Sequence, residues 1–207
     1  MQLFKTPVFV QKVFPKRNWS FSVSTPILFL TFDDGPEPSV TPQVLDLLKE
    51  YNAKATFFCV GENVKNHPEL FQRLKAEGHA VGNHTMHHKN ALKFGKKEYL
   101  ENVKEANHYI QSKLFRPPYG RLDGVKGAAL LKDYHIVMWS FLTYDYDAKV
   151  PLEEIKEKLK ELKSGDIVVL HDNKKSKERS LDLLKYILEL ALARGWKCEA
   201  ISSELCK

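Results

Sequence analysis

The chain has 207 residues, 43% hydrophobic and 28% charged, with 10 glycines and 10 prolines. That composition excludes a disordered, collagen-like or low-complexity polymer and is sufficient for one well-covered core. Lys plus Arg (32) exceeds Asp plus Glu (26), for a net charge of +6, which permits an anionic partner without requiring one.

Residues 1–26 lack periodicity and scatter Phe4, Phe9, Phe14, Trp19 and Phe21 among lysines, the pattern of an arm pinned to the domain by its aromatics; the domain proper is expected over 27–207. An uninterrupted apolar run over 27–31 predicts a strand buried on both faces. A helix is predicted over 42–51, with Val44, Leu45, Leu47, Leu48 and Tyr51 on one face. There follow a strand over 55–60, a helix over 68–77 stopped by Gly78, and a short strand at 80–81. A longer helix is predicted over 96–114, a strand edge from Phe115, a helix over 124–132 and a strand over 136–140. The last elements are a helix over 152–162, a strand over 167–170, a helix over 180–193 stopped by Gly195, and a strand near 197–201. About seven β–α units in series predict a parallel sheet with helical cover, closed as an irregular barrel or left open as a doubly wound sheet. The longest apolar runs, such as 27–30 and 167–170, have four residues against the roughly 20 needed to span a bilayer, so no membrane span is expected. No apolar leader follows a basic start, which points to the cytoplasm unless a leader has been removed. Three cysteines lack metal-type spacing and read as reduced thiols, with a Cys198–Cys206 bridge as the alternative. Nothing in the sequence sets the oligomeric state, and a monomer is the default.

Polar residues stand just after the strand runs: Asp33 and Asp34, His84, Arg116, Asp145, then His171 and Asp172. In parallel α/β proteins that edge is where active sites are built. Adjacent carboxylates such as Asp33 and Asp34 repel unless a cation or proton intervenes; alternatively they cap the following helix. In His84-Thr85-Met86-His87-His88, the imidazoles at i and i+4 would share one face of a helical turn and chelate a divalent metal, with His84 and His87 as a weaker pair. One carboxylate and two imidazoles make a facial set that leaves room for water and substrate.

TFDDGP (31–36), KATFF (54–58) with GENV (61–64), GNHTMHH (82–88), RPPYG (116–120) and IVVLHD (167–172) together resemble the motifs of the polysaccharide deacetylases, carbohydrate esterase family four. The resemblance implies a distorted, incomplete (β/α) barrel of about seven parallel strands. It implies Asp34, His84 and His88 as ligands of a divalent metal, zinc in most of the family, with Co2+, Ni2+ or Mn2+ acceptable to the same donors. It further implies Asp33 as general base, Arg116 as its orienting partner, the Tyr119 N–H at the oxyanion, His171 as general acid and Asp145 as the aspartate that tunes it. Leu170, Trp139, Pro118 and Tyr146 would line the substrate pocket. The family's aspartate is commonly followed by Trp; here Tyr146 follows, and Asp147 is a rival for the tuning role.

The activity so implied is removal of N-acetyl groups from chitin- or peptidoglycan-like glycans. The alternatives are an O-acetyl esterase on xylan-like glycans, an amide hydrolase on a small cyclic substrate, and a non-catalytic carbohydrate-binding protein. A nucleic-acid partner is not expected, because no basic stripe carries interleaved aromatics. Lys174, Lys175, Lys177 and Arg179, just after His171, read as a solvated loop or as an attractor of an acidic polymer. His67, His79, His108 and His135 read as surface or capping residues, and Cys59 as a buried apolar side chain.

Overall fold

The computed structural model describes residues 2–206. Within them the order is α1 (Val8–Val13), β1 (Ile27–Asp33), α2 (Thr41–Glu50), β2 (Ala55–Cys59), α3 (Gly61–Asn66), α4 (Pro68–Ala76), β3 (Ala80–Asn83), α5 (Lys96–Ile110), β4 (Leu114–Phe115), α6 (Gly124–Leu130), β5 (His135–Ile136), β6 (Phe141–Leu142), α7 (Leu152–Leu159), β7 (Ile167–His171), α8 (Lys177–Ala193) and β8 (Lys197–Cys198). Seven strands lie in the order β5-β4-β3-β2-β1-β7-β6, all pairings parallel, and β8 pairs with the start of β1. The sheet curls into a distorted, incomplete (β/α) barrel. β1 is central because its run ILFLTFD is buried almost throughout.

Strand alternation sorts the core. Leu28, Leu30 and Phe32 of β1 join Val168 and Leu170 of β7 under the helices, with Leu45, Leu48, Leu183, Leu184 and Ile187. Their neighbours Phe29 and Ile167 point into the barrel with Phe58, Leu114 and Val137. Asp33 and His171 share the inward phase and the same register, so the barrel interior changes from hydrocarbon to titratable groups at the strands' C-terminal ends. Pro42 and Pro68 open α2 and α4, where a missing N–H costs nothing. Asp123 caps α6 by accepting the Lys126 N–H, and Gln111, left-handed at φ 53, ends α5.

Three local expectations are corrected. Helix α3 has no sequence reading, being a six-residue piece between Gly61 and the Asn66-His67-Pro68 break. The strand expected over 136–140 is instead β5 and β6 on either side of an irregular step. There the Val137 and Met138 carbonyls turn to accept from Arg116, while the Ser140 N–H bonds across to Ile167. The N-terminal arm contains α1, and only part of its aromatic set is pinned: Phe4, Trp19 and Phe21 are buried, whereas Phe9 is 69% exposed and Phe14 37%. The arm covers the gap between β5 and β6. Asn18 bonds Ile136 and Met138, Thr6 donates to the Ser140 carbonyl, and Leu142 donates to that of Phe4, which occupies edge groups otherwise open to another chain. The cysteines are free thiols, with Cys59 and Cys198 buried. Among the described residues no helix is long and apolar enough to cross a membrane.

Candidate active site

The strand ends open onto a cavity of about 920 Å³ lined by Asp33, Asp34, His84, His88, Trp139, Tyr146 and His171, among others. That volume lies within the range of small-ligand sites. Asp34 follows β1 at φ 82. Its Oδ1 lies 3.0 Å from Nε2 of His88 and 3.6 Å from Nε2 of His84. The donor atoms of the three residues all fall within 4.8 Å of one another. Donors held about 2.0–2.2 Å from a common ion stand roughly 3–4 Å apart, so the set fits a divalent cation.

Two further observations support that fit. Asp34 Oδ1 is buried and accepts no hydrogen bond, whereas Oδ2 accepts from Asn173 at 2.7 Å and the backbone carbonyl from Asn63 at 2.7 Å. The Nδ1 of His84 donates to the Arg116 carbonyl at 2.7 Å, which leaves the lone pair on Nε2 facing Asp34. Burial pulls the His84 imidazole down to about 4, so it is neutral and able to ligate near neutrality. Burial pushes Asp34 the other way, but His88, His171 and His84 outweigh it and hold the carboxyl well below the usual range.

The turn carrying the two histidines is not helical as expected; Thr85 (φ 66) and His88 (φ 50) are left-handed. Asn83 fixes this shape by accepting the Thr85 N–H with Oδ1 and donating to the Val103 carbonyl. His87 belongs to a different set. Asn102 Oδ1 accepts the Met86 N–H, and its amide donates to His87 Nδ1 at 2.8 Å, away from Asp34.

Asp33 is the last residue of β1 and buried, and its Oδ1 accepts from Arg116 Nη1 at 2.8 Å. The Arg116 guanidinium is fully buried and makes four hydrogen bonds: Nη1 also donates to Thr31, Nε to Val137 and Nη2 to Met138, and Cζ lies 4.1 Å from the Phe58 ring centroid. On the adjacent strand β7, His171 Nδ1 donates to Asp145 Oδ1 at 2.7 Å and its backbone N–H to Oδ2 at 2.7 Å. Burial alone would lower His171, but the charge and hydrogen bond of Asp145, helped by Asp34 and Asp33, push it up to about 9. Asp147 instead accepts the Lys149 N–H. Tyr146 packs edge-on against His171 with centroids 5.0 Å apart, and burial pushes its hydroxyl up to about 12.

Two expected pocket residues lie elsewhere. Leu170 has the outward phase on β7 and is buried in the core beneath the helices; Val169, one residue earlier, lines the cavity. Pro118 is buried and absent from the lining, while the next residues, Tyr119 and Gly120, reach it. Tyr119 is left-handed at φ 61 and sets its ring 4.6 Å from that of His88. Gly120, at φ 65, meets Trp139: a Cβ there would lie 2.4 Å from the indole.

Several positioning residues escaped the sequence reading. Thr31 bridges Arg116 to the Val168 carbonyl, and Asn63 and Asn173 hold Asp34. Asp172, which the sequence reading placed at the strand end without a role, accepts from the Gly35 N–H and the Thr41 hydroxyl, fixing the turn after Asp34. Burial pushes its carboxyl up to about 8, against the pull of Thr41 and with Asp34 adding to the rise. A Cβ on Gly35 would lie 2.0 Å from that carboxylate, so the turn requires glycine. Asn and Thr are so common in loops that their spacing alone carries no signal. Their position beside the catalytic motifs is the only available clue.

A parallel half-barrel with an Asp–His–His donor set, a second aspartate held by arginine and a carboxylate-backed histidine defines an α/β protein with a hydrolase-type site. The family model described as polysaccharide deacetylase matches residues 22–139. A peptidoglycan-N-acetylglucosamine deacetylase of Bacillus cereus (strain ATCC 14579) is 37% identical over 202 residues, covering 91% of this chain and 92% of that protein. A chitooligosaccharide deacetylase of Bradyrhizobium sp. is 32% identical, covering 88% of this chain and 92% of its own length. Among solved structures, the peptidoglycan N-acetylglucosamine deacetylase Bc1960, in complex with 4-naphthalen-1-yl-N-oxidanyl-benzamide, aligns with a TM-score of 0.86 at 29% identity, covering 97% of each chain. A family 4 carbohydrate esterase from Streptomyces lividans, in complex with acetate, aligns at 0.78 and 25% identity over 86% of this chain and 94% of its own. The chain belongs to the polysaccharide deacetylase family, carbohydrate esterase family four.

Proposed function

We propose that the chain is a divalent-metal-dependent hydrolase that removes N-acetyl groups from amino-sugar polysaccharides or oligosaccharides. The observation that carries this reading is the unpartnered, buried Asp34 Oδ1 facing two imidazole Nε2 atoms, with Asp33 beside it and held by Arg116. Asp34, His84 and His88 would hold the cation, zinc or one of Co2+, Ni2+ and Mn2+. When bound, it would supply a Lewis acid that polarises the acetyl carbonyl and eases deprotonation of water.

The chain's own groups divide the remaining work. Asp33, fixed by Arg116 and outside the donor set, takes the proton of the attacking water. The Tyr119 N–H donates to the carbonyl oxygen as it gains charge. His171 starts as imidazolium and gives its Nε2 proton to the departing sugar nitrogen, because an amine leaves poorly unless protonated. Asp145 keeps that imidazole charged and aimed. Trp139, Leu142, Val169 and Tyr146 offer the apolar wall for the acetyl methyl.

The test is bound-metal analysis together with acetate release from acetylated glycans. Asp33→Asn is expected to keep the metal and the fold while lowering kcat about 10²–10⁴-fold. Metal retention with undiminished turnover would remove Asp33 from the mechanism.

The pH dependence follows from His171. Activity needs the imidazolium, so it should fall as pH rises through that group's pKa. In the metal-free protein the His171–Asp145 pair contributes stability that is complete below 6.5, the ordinary value, and is lost as pH rises through about 9. Asp145→Asn removes the dominant raising cause. It should move the alkaline limb of the rate profile to lower pH by at least about one unit, and flatten the alkaline decline in melting temperature. An unmoved limb would assign the acid role to another group.

A further inference from the structure

We propose that the N-terminal arm is a docking surface for an anionic lipid bilayer, with the outer face of α1 entering the interface and Lys12 and Arg17 receiving a lipid phosphate. This surface shares no residue with the lining of the catalytic cavity, so it stands apart from the deacetylase reading.

Helix α1 is amphipathic in the inverted sense. At about 100° per residue, Val8, Phe9, Lys12 and Val13 share an arc of about 140°. Val10, on the other side, packs against the cluster around Trp19 and Leu122. A helix lying on a globular domain ordinarily turns its polar face to water. Here Val8, Phe9 and Val13 are 64%, 69% and 63% exposed, and Leu3 and Phe14 of the same arm are exposed as well. Other exposed large apolar side chains, such as Leu92, Tyr109 and Leu192, stand on separate segments. Apolar side chains gathered on one exposed segment mark an interaction site, whereas scattered ones need no explanation.

The charge on the arm has one sign. Residues 1–26 hold Lys5, Lys12, Lys16 and Arg17 and no acid, which is +4 of the chain's +6. Lys5 meets Glu161. Lys12 and Lys16 are exposed and pair with no carboxylate among the described residues. Arg17 is only 7% exposed; its Nη2 donates to the Leu122 carbonyl at 3.0 Å and its Cζ lies 4.1 Å from the Phe14 ring centroid. It too forms no ion pair among the described residues. Asp123, the acid whose charge it feels, spends both carboxylate oxygens on Lys126. Burial therefore pulls Arg17 down from its ordinary value, and Asp123 offsets only part of that. A desolvated cation without a direct counter-ion favours an incoming anion. Arg17 and Lys12 line a cavity of about 270 Å³ together with Gln11, Asn18, Ser20 and Val8, so the basic cavity and the apolar face are continuous through Val8 and Lys12.

The two features together select the occupant. A soluble polyanion would meet the cations but leave Val8, Phe9 and Val13 in water. A second copy paired about a two-fold axis would set the same patch against itself, like charges facing, with no acid on the arm to meet them. An anionic bilayer surface satisfies both. The apolar side chains reach the headgroup boundary, and the lysine stems follow them with their ammonium groups at the phosphates.

Co-sedimentation of the full chain with vesicles is the test. Each basic residue near an anionic surface raises partitioning roughly fivefold, so vesicles of one part phosphatidylglycerol to two parts phosphatidylcholine should bind about 100-fold more tightly than phosphatidylcholine alone. The ratio should shrink as salt is raised. Lys12→Gln/Lys16→Gln should lower it about 25-fold, and Arg17→Gln, checked by thermal melt, about fivefold. Phe9→Ser/Val13→Ser should weaken binding to the anionic vesicles at least about tenfold. Lys49→Gln/Lys65→Gln, which loses the same charge at exposed positions elsewhere, should bind like the parent. Phe9→Trp should gain fluorescence that lipid brominated on its acyl chains quenches beyond the parent's own. Equal binding to neutral and anionic vesicles, binding unchanged by Phe9→Ser/Val13→Ser, or no added quenching overturns the proposal. So does an absence of vesicle binding combined with a dimer that Phe9→Ser/Val13→Ser dissolves, which assigns the face to a second copy. A folded Arg17→Gln that binds like the parent overturns the phosphate site in the cavity.

Discussion

His84→Ala is expected to release the metal and abolish turnover while the chain stays folded. His84 supplies the donor most firmly pre-set for a cation. Its ring is 1% exposed, burial keeps it neutral, and the Arg116 carbonyl takes its Nδ1–H, so Nε2 can only present a lone pair toward Asp34. Loss of a ligand's supporting hydrogen bond typically weakens a metal site 10–100-fold; loss of the ligand itself should exceed about 100-fold. The structural cost is smaller, about 1–3 kcal/mol for the orphaned Arg116 carbonyl, so a thermal melt should still show a cooperative transition. His87→Ala is the matched control. That ring is turned toward Asn102, and metal content and turnover should remain close to those of the parent chain. If His87→Ala also empties the site, the ligand register in this turn is wrong.

The two histidines show what the sequence could and could not convey. The spacing suggested two imidazoles with a carboxylate, and only the family resemblance singled out Asp34 rather than Asp33 as their partner; the structure brings Asp34, His84 and His88 together. The conformation of the two histidines was not legible. The i, i+4 spacing suggested a helical turn, but Asn83 and Asn102 capture the N–H groups of Thr85, Met86 and His87, and the chain passes through left-handed geometry at Thr85 and His88. Side-chain capture of backbone donors is a tertiary event that periodicity does not report. The same distinction holds for the pocket. A polar or apolar character near β7 was clear, but placing Leu170 rather than Val169 in the cavity amounts to a one-residue phase error, and in a strand that moves a side chain to the opposite face.

The sheet was legible for a different reason. β1, β2 and β7 are apolar over nearly their whole length, and only parallel strands covered on both faces tolerate that. The step between β5 and β6 was hidden. Its residues, Val137 to Ser140, look like strand, and what breaks them is a cation from another segment. Left-handed residues gather at the site: Asp34, His88 and Tyr119 border the cavity, and Thr85 follows the lining residue His84. Such conformations cost of order 1–3 kcal/mol each and persist only where surrounding contacts over-determine them.

Arg116 ties the strand ends together through Thr31, Asp33, Val137 and Met138, and Arg116→Met should therefore be the most damaging of these single changes to the fold. Methionine fills similar space but donates nothing. Asp33 would keep a buried charge without its counter-charge, and Thr31, Val137 and Met138 would lose their donor. Burial lowers the guanidinium's affinity for its proton and Asp33 raises it, but an arginine remains charged throughout. Breaking a buried ion pair on one side typically costs 3–5 kcal/mol, a large share of a domain's 5–15, and should lower the melting temperature by roughly 6–20 °C. Turnover should fall at least as far as in Asp33→Asn, since the base loses both its orientation and its electrostatic support. Arg116→Lys keeps the charge but cannot span four acceptors, so it should recover part of the stability and little of the activity. Arg116→Met/Asp33→Asn separates the two effects. Removing the stranded carboxylate should regain part of the lost melting temperature with no gain in rate. A single Arg116→Met variant that melts within a degree or two of the parent would mean that the guanidinium is not what holds the strand ends and Asp33 together.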